Sequence, residues 1–249
     1  MEFVEVSKEE NLAVVTVNRG KVNALNEIVV DEVRGCLEEL AEDAVIRAVI
    51  LTGQGRFFSF GFDIPEFLSY SREDFTRYLT KFAGLYEYLF LYPKPVVAAL
   101  NGHTIAGACM IATACDYRVM VDGKAKISLN EITFGASVFA GAVGMLRACV
   151  GHRNAETILC SGSMYSADGA LELGLIDKKT TEEKLIEDAM NVARDLGQRD
   201  HSAFYSIKKL LRKPIMEKIK PKESDSISEF VDIWYSESTR KQLQDIKIR

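Results

Sequence analysis

The sequence predicts an α/β protein with parallel strands, followed by a C-terminal region of helices. Three observations predict it. Short β-branched apolar runs recur through the first part of the chain. Stretches with helical spacing lie between several of them. After about Ile176 the strand-like runs stop and charge increases.

Leu12 to Val17 reads as a buried strand. Asn26 to Leu40 follows with Val29, Val33, Cys36 and Leu40 on one helical face. Ala48 to Thr52 is a second buried strand, stopped by Gly53 and Gly55. Arg72 to Leu91 reads as a long amphipathic helix that breaks before Pro93 and Pro95. Val96 to Leu100 and Asp116 to Met120 are further strands, with a glycine-punctuated turn and an apolar segment between them. Thr181 to Leu196, Ser202 to Arg212 and Glu223 to Leu243 read as three helices. The only tryptophan, Trp234, lies in the last, with Phe230 and Ile233. This apolar face either closes the core or packs on another subunit. The expected division is a core over residues 1–195 and a helical subdomain over 196–249.

Composition narrows the class. Of the 249 residues, 47 % are hydrophobic and 27 % charged, an ordinary globular balance. A net charge of −5 gives no support to nucleic-acid binding. No run is apolar and long enough to span a bilayer, and no membrane partner is expected. The five cysteines are scattered and odd in number, which suits free thiols in a reducing compartment. The first residues lack a basic and then apolar signal segment, and Lys247–Arg249 form no recognised address. A cytoplasmic protein is expected.

Three segments carry candidate chemistry. The first runs from Gly55 to Ile64 at the end of a buried strand, and includes Phe60, Phe62 and Asp63. Its glycines permit a tight turn, and Asp63 suits a helix cap. The second runs from Lys94 to Met110, where Ala106, Gly107 and Ala108 follow a strand. A helix starting near Gly107 would offer free N–H groups to negative charge, although close packing would also explain the small residues. The third, Ile127 to Gly135, places Glu131 amid apolar neighbours. Burial there would raise its pKa and fit it to shuttle a proton.

Together these segments resemble the crotonase, or enoyl-CoA hydratase/isomerase, superfamily. Lys21 to Leu25 is similar to that family's first coenzyme A-contacting turn, and Ala167 to Asp177 to its connector into the C-terminal helices. The five motifs stand in register, and the resemblance spans roughly residues 3–215. It implies a crotonase-type spiral of ββα turns with a helical C-terminal subdomain. It implies an acyl-CoA partner and a homotrimer or dimer of trimers. No metal or separate cofactor is implied, since coenzyme A is part of the substrate. By motif position the oxyanion-hole amides fall on Phe62 and Gly107. The substrate would meet Val22, Ala24, Phe60, Asp63, Ile64, Ala106 and Met110.

The family's hydratases use two glutamates. The second matches Glu131; the first falls on Met110, which carries no proton. One base suffices to shift a double bond, so the resemblance is nearest to Δ3,Δ2-enoyl-CoA isomerases. Met110, Phe134 and Phe139 would exclude water, and Phe58 and Phe62 are similar to phenylalanines in the corresponding turn of some isomerases. A hydratase or other thioester reaction, and a non-catalytic coenzyme A-binding scaffold, remain as alternatives. His103, His152 and His201 read as structural. Lys208, Lys209 and Arg212 form a basic stripe, either solvated or set to meet coenzyme A phosphates.

Overall fold

The computed structural model describes residues 1–244. The terminal residues Lys247–Arg249, read above for targeting signals, lie outside the described part. Two sheets form the frame. The larger takes one strand from each successive stretch: β1 (Val4–Glu9), β2 (Leu12–Val17), β3 (Ala48–Gly53), β5 (Val96–Leu100), β7 (Tyr117–Val121) and β9 (Lys178–Thr180), side by side in that order. Only the β1–β2 pair is antiparallel; the others run parallel. The smaller sheet is parallel and holds β4 (Phe57–Ser59), β6 (His103–Ile105) and β8 (Ile127–Ser128).

The pairing β3/β4, β5/β6, β7/β8 is the spiral. Each turn gives one strand to each sheet and then leaves through a helical segment. These segments begin with α1 (Glu27–Glu42), α2 (Ile64–Phe67), α3 (Arg72–Phe90) and α4 (Gly107–Ala114). A short 3-10 helix, Glu131–Phe134, and α5 (Ala140–Ser161) follow β8. Because the strands repeat in parallel, the ends of β4, β6 and β8 arrive at one edge. That edge holds the candidate site.

The strands β2, β3, β5 and β7 lie where the apolar runs placed them, and α3 matches its expected span to within a residue. β1 was not foreseen. Its burial pattern leaves Val4 buried but most of the strand exposed, so it lacks an apolar run. The helices α5 and α6 (Ala167–Glu172) were also not read. α5 bends at Gly151, where φ is +77°, and this breaks the single periodicity that sequence reading needs.

The C-terminal helices require a correction. α7 (Leu185–Gly197) lies within the expected span, but Ser202–Arg212 and Glu223–Leu243 are not separate helices. One helix, α8 (His201–Trp234), runs through Pro214 and Pro221, and α9 (Glu237–Gln244) follows. The two prolines are seven residues apart, hence on one face, and both are exposed. Water can therefore take over the carbonyls that they leave without a donor. The inner face holds the helix in place through Met216, Ile219, Ile227, Phe230 and Trp234.

The basic stripe is corrected too. Lys208 is buried, with its Nζ 2.7 Å from Asp116, and Arg212 reaches the same carboxylate at 3.0 Å. Asp116 also accepts the Val96 N–H, at the start of β5. Arg212 donates to the carbonyls of Phe90 and Ala114. These cations staple α8 to the end of α3 and to the sheet, and face no open phosphate site. Burial pulls the Lys208 ammonium down to about 8, against the opposing pull of Asp116. Removing the anion leaves a buried cation unpaired. Asp116→Ala is expected to lower unfolding free energy by roughly 3–5 kcal/mol, measured by urea titration. A loss near zero would show that the staple does not hold α8.

Candidate active site

A cavity of about 410 Å³ opens at the shared edge of the turns. Its wall includes Phe60, Phe62, Ile64, Ala106, Glu131 and Trp234. Each arrives for a local reason.

The first turn is set by Asn23, which is fully buried with φ at +51°. Its side chain donates to the carbonyls of Gln54 and Phe57 and accepts the Arg19 N–H. The turn is laced to the segment after β4: Phe60 N–H donates to Val22, and Leu25 N–H to Gly61. Asp63 N–H donates back to Leu25. This is a parallel bridge in which Gly61 and Asp63 bond Leu25, so the N–H of the intervening Phe62 points away from it. That N–H has no acceptor among the described residues.

The second donor lies beside the first. Ala106 adopts φ +52° and ψ −119°, a conformation that favours glycine and costs about 1–3 kcal/mol for other residues. Its N–H is tied to Ser128 at 2.8 Å. This sharp bend starts α4 at Gly107 without a side-chain cap, so the first N–H groups of the helix stay free. The two turns nearly touch: a Cβ on Gly61 would come within 3.3 Å of the Gly107 nitrogen. A Cβ on Gly107 would come within 2.8 Å of the Phe62 ring. Glycine at 107 therefore answers to the Phe62 side chain.

The third component is the carboxyl of Glu131, 5 % exposed, at the start of the 3-10 helix. Its Oε2 has no hydrogen-bond partner. Burial pushes the carboxyl up to about 8, well above the ordinary 4.5. Among the described residues it is the only titratable side chain on the cavity wall.

The structure thus gathers Phe60, Phe62, Ile64, Ala106 and Glu131 around one cavity. Val22 and Ala24 sit in the adjoining turn through the bonds above. The Asp63 side chain caps α2 and lies 2.6 Å from Arg19, so its carboxylate is already engaged. Met110 needs correction as a substrate contact. All eight residues of α4 are buried, and Met110 lies in the core rather than on the cavity wall. Phe58 faces a separate apolar void with Val15 and Leu51. Phe134 lines the cavity, while Phe139 stands behind it, its ring 6.5 Å from Phe62.

Sequence reading missed the closing wall. Phe230 and Trp234 of α8 and Gln242 of α9 line the cavity. The rings of Phe230 and Phe139 are 4.7 Å apart, as are those of Trp234 and Phe75. The apolar C-terminal face therefore packs on its own chain. Its available signal was the pair Phe230 and Trp234 at helical spacing, which says that a face is buried but not against what. His103 tilts on the Phe57 ring at 5.1 Å, outside this cavity.

Two stability measurements test this geometry. Gly107→Ala is expected to cost about 1–3 kcal/mol. Combining it with Phe62→Leu should cost less than the two changes separately, because the clash is shared; strictly additive costs would mean that the ring and Gly107 do not touch. Glu131 supplies the second. Its folded pKa lies above the unfolded value, so the folded state keeps the proton longer. Stability is full below about pH 4.5, falls as pH rises towards 8, and is flat above. Glu131→Gln should remove this loss, gaining on the order of 4 kcal/mol over wild type by pH 8 relative to pH 4. Parallel stability–pH curves for the two proteins would show that the carboxyl is solvated.

Comparison with known proteins bears on the whole chain. The enoyl-CoA hydratase/isomerase family model matches residues 7–245. A probable enoyl-CoA hydratase of Bacillus subtilis is 32 % identical, over 85 % of this chain and 82 % of the relative. The mitochondrial enoyl-CoA delta isomerase 1 of Mus musculus is 32 % identical, over 97 % of this chain and 84 % of the relative. The crystal structure of human mitochondrial delta3-delta2-enoyl-CoA isomerase superposes with a TM-score of 0.90 at 29 % identity, covering 97 % of this chain and 95 % of that one. With the spiral, the paired amides and the matched span in hand, the chain belongs to the enoyl-CoA hydratase/isomerase family.

Proposed function

We propose that the protein is a Δ3,Δ2-enoyl-CoA isomerase in which Glu131 alone moves the proton. One observation carries the reading: the cavity wall holds a single titratable group, and it is buried without a partner. The thioester oxygen lies between the N–H groups of Phe62 and Gly107. The Glu131 carboxylate removes a proton from C2 of a 3-enoyl-CoA. The electron pair left on C2 delocalises into the thioester and the adjacent double bond, giving a dienolate. Its oxygen carries the charge that the two amides stabilise. The Glu131 carboxylic acid then returns the proton to C4, and the double bond settles between C2 and C3. No atom is gained or lost.

The position of Met110 supports the reading, since no acid stands three residues after Gly107. The wall of Phe60, Phe62, Ile64 and Phe134 keeps water from the dienolate. Hydration of a 2-enoyl-CoA is the second reading, favoured by relatives named as hydratases. Asn130 and Thr133 line the cavity and can hold water, but neither is a base.

The purified protein should convert a 3-enoyl-CoA to the 2-trans product and leave 2-enoyl-CoA largely unhydrated. Glu131→Gln should keep ligand binding and lose at least about 100-fold in kcat. Rapid hydration of 2-enoyl-CoA would replace the isomerase with the hydratase, and binding without turnover of either would indicate a scaffold. As the base must be ionised, kcat/KM should rise about tenfold per pH unit below 8 and level off above it. A profile flat from pH 6 to 9 would remove Glu131 as the base.

A further inference from the structure

Buried polar atoms almost always find partners. Five buried side-chain polar atoms lack one among the described residues. Three of the five, Asn130 Oδ1, Glu131 Oε2 and Trp234 Nε1, belong to residues that line the catalytic cavity. Glu131 is accounted for by the proton transfer. Trp234 is not. An indole N–H only donates, and a buried one usually has an acceptor.

Nothing about the packing of Trp234 requires an indole. The residue is 1 % exposed and held by Phe75 at 4.7 Å and Phe230 at 5.9 Å. Phenylalanine would meet those rings as well and would leave no orphan donor. The position on α8 also matters. The thioester end of the cavity is fixed by Phe62 and Gly107, on the turns after β4 and β6. The wall made by Phe230, Trp234 and Gln242 comes from other elements, which close the cavity over the acyl group.

We propose that Trp234 is a specificity-determining residue whose indole N–H receives an oxygen acceptor on the acyl chain, beyond C4. The substrate class is then an oxygen-bearing 3-enoyl-CoA rather than a plain alkenoyl-CoA. This deepens the isomerase reading and rests on its placement of the thioester. An alkyl chain in the same place leaves the donor unsatisfied, and that difference is the selectivity. The remaining orphan, Asn130 Oδ1, accepts a proton, so a hydroxyl serves this wall better than a ketone if both groups reach it.

The test uses substrates of equal length: 3-hexenoyl-CoA and its 5-hydroxy and 6-hydroxy analogues. For wild type, kcat/KM for one of the hydroxy substrates is expected to exceed that of the plain substrate roughly 10- to 100-fold. Trp234→Phe should bring the ratio close to one. Calorimetric binding of hexanoyl-CoA and its hydroxy analogues gives the same ratio without turnover. A persisting hydroxy preference with no isomerisation would overturn the isomerase reading and leave this inference standing. Three results would overturn the inference. Wild type may favour neither hydroxy analogue in turnover or in binding; this needs no variant to fold. Trp234→Phe may leave the preference intact. Or Trp234→Phe may weaken both ligands equally, which would place the donor on the coenzyme A portion that they share.

Discussion

The site depends on a carboxyl held out of water with nothing to pair it. Glu131 is among the few buried polar residues of the chain, and one of its oxygens has no partner. A fold that only needed stability would put an apolar side chain there. Desolvation raises the pKa to about 8, bringing the acid and its base close to balance near neutral pH. Such a group can both take and return a proton, which is the requirement for shifting a double bond within one molecule.

The charge that forms during that exchange must be met elsewhere. The two free amides do this by conformation alone. Phe62 N–H is turned outward because its neighbours bond Leu25, and Gly107 N–H is freed because Ala106 accepts an unfavourable backbone angle. The turns can approach so closely because Gly61 and Gly107 carry no Cβ. The parallel spiral supplies the rest: it delivers the ends of β4 and β6, and then the Glu131 segment, to one edge.

Closure is the task of α8. Its first half is anchored by Lys208 and Arg212 on Asp116, and its last turns carry Phe230 and Trp234 to the cavity. Midway, Glu223 accepts the Tyr86 hydroxyl and the Gly141 N–H, tying the helix to the start of α5. A polar staple, a capped helix and an aromatic cluster thus hold one wall. The same wall contributes an indole donor that the fold itself leaves unused.

Much of this was legible in the sequence. Apolar runs located β2, β3, β5 and β7, and helical spacing located α1 and α3, because burial on one face leaves a local period. The motifs around Phe62, Gly107 and Glu131 were legible for a similar reason: tight turns and a carboxylate among apolar neighbours are local features. Other features depended on contacts between distant segments. Lys208 and Arg212 looked like a solvated stripe until Asp116, some ninety residues earlier, was seen against them. Pro214 and Pro221 looked like a break until α8 was seen with their face towards water. Trp234 could be read as buried, but not as a wall of the site. By itself the chain determined which segments could pair, turn and carry a proton, since these follow from neighbours a few residues apart. Only the tertiary structure decided what each segment meets, because burial, desolvation and the loss of a hydrogen-bond partner are properties of the packed whole.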